Sequence, residues 1–423
     1  VGSEMCIRDR YDMDAAVNVC KQFVGCEYDR VYDIAEGIKI RFTDVGHLLG
    51  SASIEVWATE KTENGDVTEK IVFSGDIGNI NKPIIKDPKH VRDADYVVME
   101  STYGNRSHGG TPNYVEDLTD IFKRTFERGG NVVIPSFAVG RTQELLYIIR
   151  KIKEDNLVGR DFDVYMDSPL AIEATNIFIK NVESCFDDEA VELVRKGINP
   201  LSFPGLKYAT TGDESKQINF DPNPKVIISS SGMCEAGRIR HHLKHNLWRP
   251  ECTIVFVGYQ AVGTTGRIIV DGAEEIKLFG EPIQIKAEIV QLKGSSGHAD
   301  KDGLLCWINA FDTKPKKVFV VHGEDSVCDE FTECLKEEYG FDAYAPYTGT
   351  SFDLITGQMI AEGNKEKKSR RTTVNKRNKS VFDRLVAAGK RLMSVIAHNE
   401  GGANKDLAKF TDQINSLCDK WDR

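Results

Sequence analysis

The sequence predicts an α/β protein in which a β-rich portion is interrupted by a parallel, doubly wound portion, and three observations predict it. Short β-rich runs divided by turn residues fill Ile38 to Glu100: "IKIRF", "SIEVW", "KIVFSGD" and "YVVMEST". From Gly129 the texture changes to strand, polar Gly/Ser loop and helix. The repeating units are "NVVIPSFAVGRTQELLYIIRKI", "FDVYMDSPLAIEATNIFIKN", "KVIISSSGMCEAGRIRHHLKHNL" and "CTIVFVGYQAVGTTGRIIVDG". Short buried strands alternating with helices call for a parallel sheet covered on both faces. After Ile283 strands return, and "KKVFVVHGEDSVCDEFTECLKEEYG" adds one more strand, loop and helix.

The two ends read differently. "VGSEMCIRDR" has no periodicity that joins it to the rest of the chain, so residues 1–10 are expected to be a non-native leader, with natural sequence beginning near Tyr11. Lys365 to Lys379 carries eight Lys/Arg against one Glu and almost no apolar residue, the composition of a solvated linker, drawn at 362–380. A helical tail is expected over 381–423. Phe382, Leu385, Val386, Gly389, Leu392, Met393 and Ile396 keep helical spacing, as do Leu407, Phe410, Ile414, Leu417 and Trp421. Such a tail suits a helical hairpin or a homodimer contact, or else steers RNA.

Composition narrows the function classes. No apolar run approaches the roughly 20 residues that span a bilayer, so no membrane partner is expected. A formal charge of -10 argues against nonspecific adhesion to nucleic acid, so any nucleic-acid site must be local. The 10 cysteines include no C-x-x-C pair and no signal segment precedes them, which reads as reduced thiols in a cytoplasmic protein.

In open α/β sheets ligands gather at the carboxyl ends of strands, so the polar residues that directly follow apolar runs are the informative ones. They are Asp76 after "IVFSG", Glu100 after "YVVM", His298 in "KGSSGHAD" and His322 after "VFVV", joined by His47 in "DVGHLLGSASIEV". Any one alone is ordinary, since a histidine between glycines is usually a satisfied turn residue and an acid ending a strand is usually solvated. Together, imidazoles and a carboxylate make a normal set of zinc ligands. No phosphate-binding Walker loop or G-x-S-x-G elbow competes with them. In "HHLKH", His241 and His245 lie four apart on one helix face and read as an ordinary exposed face.

In order, "DVGHLLGSASIEV", "FSGDIGN", "MESTYGNR", "PSFAVGRTQELL", "SGMCEAGRIRHHLKH", "FVGYQAVGTTGR", "SSGHAD" and "VVHGE" resemble the β-CASP branch of the metallo-β-lactamase superfamily, over about Tyr11 to Ile360. The resemblance implies a metallo-β-lactamase αββα sandwich, incomplete at its N-terminus, with an inserted parallel α/β cap. The sandwich would occupy 11–108 and 283–361, and the cap 109–282. It also implies His47, Asp76 and His322 as metal ligands, Asp76 bridging two zinc ions, and Glu100 with His298 as the catalytic pair. The expected activity is zinc-dependent cleavage of RNA phosphodiester bonds, on single-stranded RNA entering between sandwich and cap.

One departure from the family pattern matters. The motif His-x-His-x-Asp-His should precede His47, and the sequence has no histidine before His47. A truncated N-terminus is the expectation, with an incomplete zinc site and no activity in this chain as it stands. The alternatives are a catalytically dead RNA-binding subunit and a small-ester metallo-hydrolase. For RNA contact, three cap loops each end in Gly-Arg at a helix start, which offers Arg141, Arg238 and Arg267 to phosphate. Each of these arginines is equally able to pair with a surface carboxylate.

Overall fold

The structure, a computed structural model, describes residues 13–63, 65–107, 109, 113–292 and 297–364, with 385–386, 388–389, 392–393, 395–396 and 404–421. The expected leader, the basic linker beyond Asn364 and much of the first tail helix lie outside the described residues. Chain contacts divide the protein at Asn364 into two units. In the second, Asn404–Trp421 is helical, as its spacing predicts.

The first unit opens with β1 (Val31–Ala35), β2 (Ile38–Asp44), β3 (Ala52–Thr62), β4 (Gly65–Phe73) and β5 (Tyr96–Glu100). Next come β6 (Val132–Pro135), β7 (Asp163–Asp167), β8 (Leu206–Tyr208), β9 (Lys225–Ser229) and β10 (Thr253–Phe256). The chain continues with β11 (Glu275–Leu278), β12 (Glu281–Gln284), β13 (Glu288–Gln291), β14 (Lys317–Val321), β15 (Ala343–Tyr344), β16 (Ser351–Asp353) and β17 (Gln358–Ala361).

Two large sheets organise most of these strands, with β11–β12 and β16–β17 as separate two-stranded pairs. The larger has seven, in the order β1-β2-β3-β4-β5-β14-β15, antiparallel through β4 and parallel from there on. Its strands alternate faces, as a period of two requires. Val72, Val97, Met99, Val318 and Val320 point to a core shared with Leu304, Trp307 and Ile308 of the helix Lys301–Ile308 and with Phe331 and Leu335 of the helix Asp325–Glu337. Ile71, Tyr96 and Phe319 point the other way, against Phe352 and Leu354 of the β16–β17 hairpin. Burying each such side chain is worth about 1.5–3 kcal/mol.

The second sheet is the predicted parallel one, in the order β13-β10-β6-β9-β7-β8. Its central strands "VVIP", "KVIIS" and "TIVF" are buried at every position, which explains their unbroken run of apolar and β-branched residues. The helices Arg141–Glu154, Pro169–Lys180 and Ile239–Asn246 follow their strands as expected. Two details differ from the reading of the sequence. β1 precedes the first predicted strand, and β13 pairs with β10, so the cap sheet takes its edge strand from beyond residue 282. No described helix is long and apolar enough to cross a membrane.

Candidate metal centre

The loop after β2 is built to present His47. Asp44 accepts the Gly46 N–H at 2.9 Å, and Ser51 Oγ accepts the N–H groups of His47 and Leu48 at 3.0 and 3.1 Å. This loop is clamped to the one after β4. Gly78 donates to the Val45 carbonyl at 2.8 Å and passes so close that a Cβ there would lie 2.0 Å from the Gly46 oxygen and 2.7 Å from the His47 nitrogen. Gly78→Ala must therefore push the His47 loop away from Asp76. We expect a loss of roughly 1–3 kcal/mol of stability, the usual cost of overpacking, with weakened metal binding, read by thermal unfolding with and without zinc.

Parallel pairing brings the remaining residues to the same place. The β5–β14 register sets Glu100 opposite Val321, so His322 leaves β14 beside Ser101 and its carbonyl accepts from the Ser101 N–H at 3.3 Å. His322 adopts φ 53°, a left-handed conformation that histidine tolerates better than most side chains. Ala299 donates to the Ile77 carbonyl at 2.7 Å and His298 bridges to Gly78, which fixes His298 over the β4 loop.

Asp76 stands at the centre. Its Oδ2 lies 3.9 Å from His47 Nε2 and its Oδ1 lies 3.3 Å from His322 Nε2, so its two oxygens face two different imidazoles. His47, Asp76 and His298 offer ligand atoms that all lie within 4.8 Å of one another. Two imidazoles and a carboxylate at this spacing are a donor set that fits zinc. The sequence reading paired His322, and not His298, with His47 and Asp76 as a ligand. The structure brings both histidines to Asp76, with the His298 and His322 rings 5.9 Å apart and stacked.

His298 is held from behind. Its Nδ1 is 3.1 Å from both Glu100 oxygens, while Glu100 also accepts from the N–H groups of Ile77 and Thr102. Burial works against charge on Glu100, but the bond from His298, with Thr102 and Ile77, outweighs it and holds the carboxyl below its ordinary value. Burial likewise opposes a charged His298, yet the Glu100 bond and charge raise its pKa above the ordinary imidazole value. His47 moves the other way, lowered by burial and then by His298 and Lys82. One imidazole is thus biased toward the neutral form a ligand needs and the other toward holding a proton.

Sequence reasoning singled out neither Lys82 nor Glu144, yet both lie beneath the site. The Lys82 amine donates to the His47 carbonyl at 2.8 Å and pairs with Glu144 at 3.3 Å, both side chains being almost buried. Glu144 belongs to the helix Arg141–Glu154, so this pair ties the cap to the His47 loop. A carboxylate inside the apolar run "ELLYII" was the available signal. Beside the pair a cavity of about 600 Å³ opens between the cap and the larger sheet, lined by Asn81, Lys82, Arg141, Glu144, Tyr147 and Trp307, among others.

The three predicted RNA-contacting arginines are each bound to their own chain. Arg141 pairs with Glu144 and lines the cavity. Arg267 pairs with Asp271 at 2.8 Å, one helical turn on. Arg238 donates to Asp167 at 2.7 Å and to the carbonyls of Ala209 and Thr210 at 3.0 and 2.8 Å. Arg238 is thus a strut of the cap, the carboxylate pairing that the sequence left open for each of these arginines. Around the same carboxylate, His242 Nε2 lies 2.6 Å from Asp167 and Ser215 Oγ donates to it. Of the histidines in "HHLKH", His242 is fully buried, whereas His241 and His245 are exposed as expected.

Comparison with known proteins places this arrangement. A Beta-Casp domain model matches residues 142–269, and a model of the Zn-dependent metallo-hydrolase RNA specificity domain matches residues 282–346. An RNase J-like protein of Methanocaldococcus jannaschii is 33% identical over 321 residues, 75% of this chain and 71% of that protein. The chain belongs to the β-CASP family of metallo-hydrolases. A ribonuclease of Thermus thermophilus is 35% identical over 288 residues, 68% of this β-CASP chain and 63% of the relative. A transcription termination factor, FttA, of Methanosarcina mazei is 33% identical over 328 residues, 75% of the chain and 50% of the factor. The β-CASP chain thus spans between half and two-thirds of the length of these last two relatives.

Proposed function

We propose that the protein acts as a zinc-dependent RNA phosphodiesterase, and the observation that carries this reading is Asp76 standing between His47 and His322 with His298 braced by Glu100. The names of the Thermus and Methanocaldococcus relatives, a ribonuclease and an RNase J-like protein, support RNA as the substrate class. His47, Asp76 and His322 would hold zinc, two ions in the complete site. Bound there, zinc supplies Lewis-acid chemistry: it lowers the pKa of water and neutralises charge on the phosphate.

The chain's own residues do the rest. His298 stands where it can give a proton to the departing ribose oxygen, and Glu100, bonded to its Nδ1, fixes the ring so that Nε2 faces the reaction. Lys82 steadies the His47 loop through its carbonyl. Single-stranded RNA suits a cleft between cap and sheet better than a duplex, because an unpaired strand can bend to bring one phosphate to the cluster. A homodimer through the tail belongs to the same reading, supported by the exposed Leu417 and Trp421 on one stripe of the terminal helix.

The test is cleavage of single-stranded RNA by protein that carries a His-x-His-x-Asp-His segment ahead of His47. Cleavage should cease on chelation and return with zinc. Cleavage that persists in chelator, or hydrolysis of small esters with RNA left intact, overturns the reading.

A further inference from the structure

Four large apolar side chains stand in solvent at the carboxyl end of the cap's parallel sheet. Phe137 (45% exposed) and Val139 follow β6, and Tyr259 (47% exposed) and Val262 follow β10. β6 and β10 are hydrogen-bonded neighbours, so these two loops leave the sheet side by side, strands being about 4.8 Å apart. Single exposed apolar residues are commonplace, but two aromatic rings on adjacent strand ends are a patch.

The loops are fastened to one another and to the metal centre. Gly232, in the loop after β9, lies against Phe137 so closely that a Cβ there would sit 3.0 Å from the ring, and its carbonyl accepts from Gln260, next to Tyr259, at 3.1 Å. On the other side Gly140, three residues beyond Phe137, presses on Leu48, the neighbour of His47. Packed contacts therefore link the His47 loop through Gly140 to the Phe137 loop, and that loop through Gly232 to Gln260, so the exposed Phe137 and Tyr259 stand on loops braced against the His47 loop. Bulk packing gives these rings no reason to be exposed. A strand of unpaired bases does, because every base has a face that stacks on an aromatic side chain while the backbone lies toward the His47 loop.

The geometry points to Phe137 and Tyr259 as a base-stacking platform that holds the unpaired bases of single-stranded RNA beside the metal centre. This rests on the RNA reading above and adds what grips the substrate: ring faces that accept any base, in place of the arginines, which are spent on their own chain. Sequence preference at this step is accordingly weak and the demand for unpaired bases strong, since a duplex hides its base faces.

The experiment measures binding of the full chain to a fluorescently labelled uridine oligomer and to the same oligomer with abasic positions, by anisotropy at fixed salt. Phe137→Ala and Tyr259→Ala should each weaken binding to the intact oligomer about 10-fold. Phe137→Leu should lose as much as alanine, whereas Phe137→Trp and Tyr259→Phe should hold within about twofold, which separates stacking from apolar contact. The abasic oligomer should bind wild type about as poorly as the double alanine variant binds the intact one. Wild-type binding by both alanine variants, or full rescue by leucine, overturns the platform while leaving the RNA reading intact. Failure of the chain to bind any single-stranded RNA overturns the RNA reading, and the platform with it. Both positions are exposed, and unchanged thermal unfolding of each variant shows that binding, not folding, was altered.

Discussion

In protein that carries the His-x-His-x-Asp-His segment ahead of His47, Asp76→Ala should strip zinc and abolish RNA cleavage together, whereas His298→Ala should abolish cleavage with most zinc retained. Asp76 is the residue whose two oxygens meet two different imidazoles, so its loss removes a donor from both sides at once. His298 is tethered through Nδ1 to Glu100, and removing its ring leaves His47, Asp76 and His322 in place. Zinc content by elemental analysis and cleavage of a labelled single-stranded RNA would be read on the same preparations. The activity loss for His298 should be on the order of 10²–10⁴-fold, the usual share of a positioned proton donor. Equal zinc loss in both variants would show that His298, which also comes within reach of the cluster, is a ligand and not the acid.

Asp167→Ala should destabilise the cap by about 3–5 kcal/mol, the usual cost of removing one partner from a buried ion pair. Asp167 and His242 are fully buried, and the alanine would leave His242, Ser215 and the Arg238 guanidinium facing a void where three of their bonds converged. Urea unfolding followed by tryptophan fluorescence would check it, and an effect under about 1 kcal/mol would mean that the cluster relaxes onto water. The same carboxylate gives the stability a pH dependence. Burial pushes the Asp167 pKa up, but the bonds from His242, Ser215 and Arg238 outweigh it and hold the pKa below its ordinary value. A depressed folded pKa means that the unfolded chain takes up the proton first. The contribution is complete above the unfolded value of about 3.9 and is lost as pH falls through the folded value. In Asp167→Asn that part of the acid sensitivity should be absent.

The parts of the molecule legible in sequence were those whose signal is local. Asp76, Glu100 and His322 come at the ends of short apolar runs and His47 lies in the glycine-flanked loop after β2, and the order of the motifs that hold them carried the family resemblance. The buried strands β6, β9 and β10 announced a parallel sheet because burial on both faces leaves no alternation. What stayed hidden depends on partners distant in sequence. Lys82 reads as a surface cation until the cap helix sets Glu144 against it. β13 reads as part of the returning sheet until its pairing with β10 is seen. His242 was overshadowed by its exposed neighbours, although it shares the buried stripe of Ile239, Leu243 and Asn246 that helical spacing would have picked out.

The insertion of the cap between β5 and β14 also governs when the site can exist. His47 and Asp76 come from loops joined by short antiparallel connections, and these can find each other early in folding. Glu100 meets His298, and β5 meets β14, only after the chain has made the whole excursion through the cap, a closure whose entropic cost and slowness grow with the length of the loop. The candidate metal centre therefore depends on contacts made late along the chain, and we expect it to form only after β14 has paired with β5. A nascent chain that ends with the cap holds His47, Asp76 and Glu100 but neither His298 nor His322, so the candidate centre cannot form until the strands beyond the cap have been made.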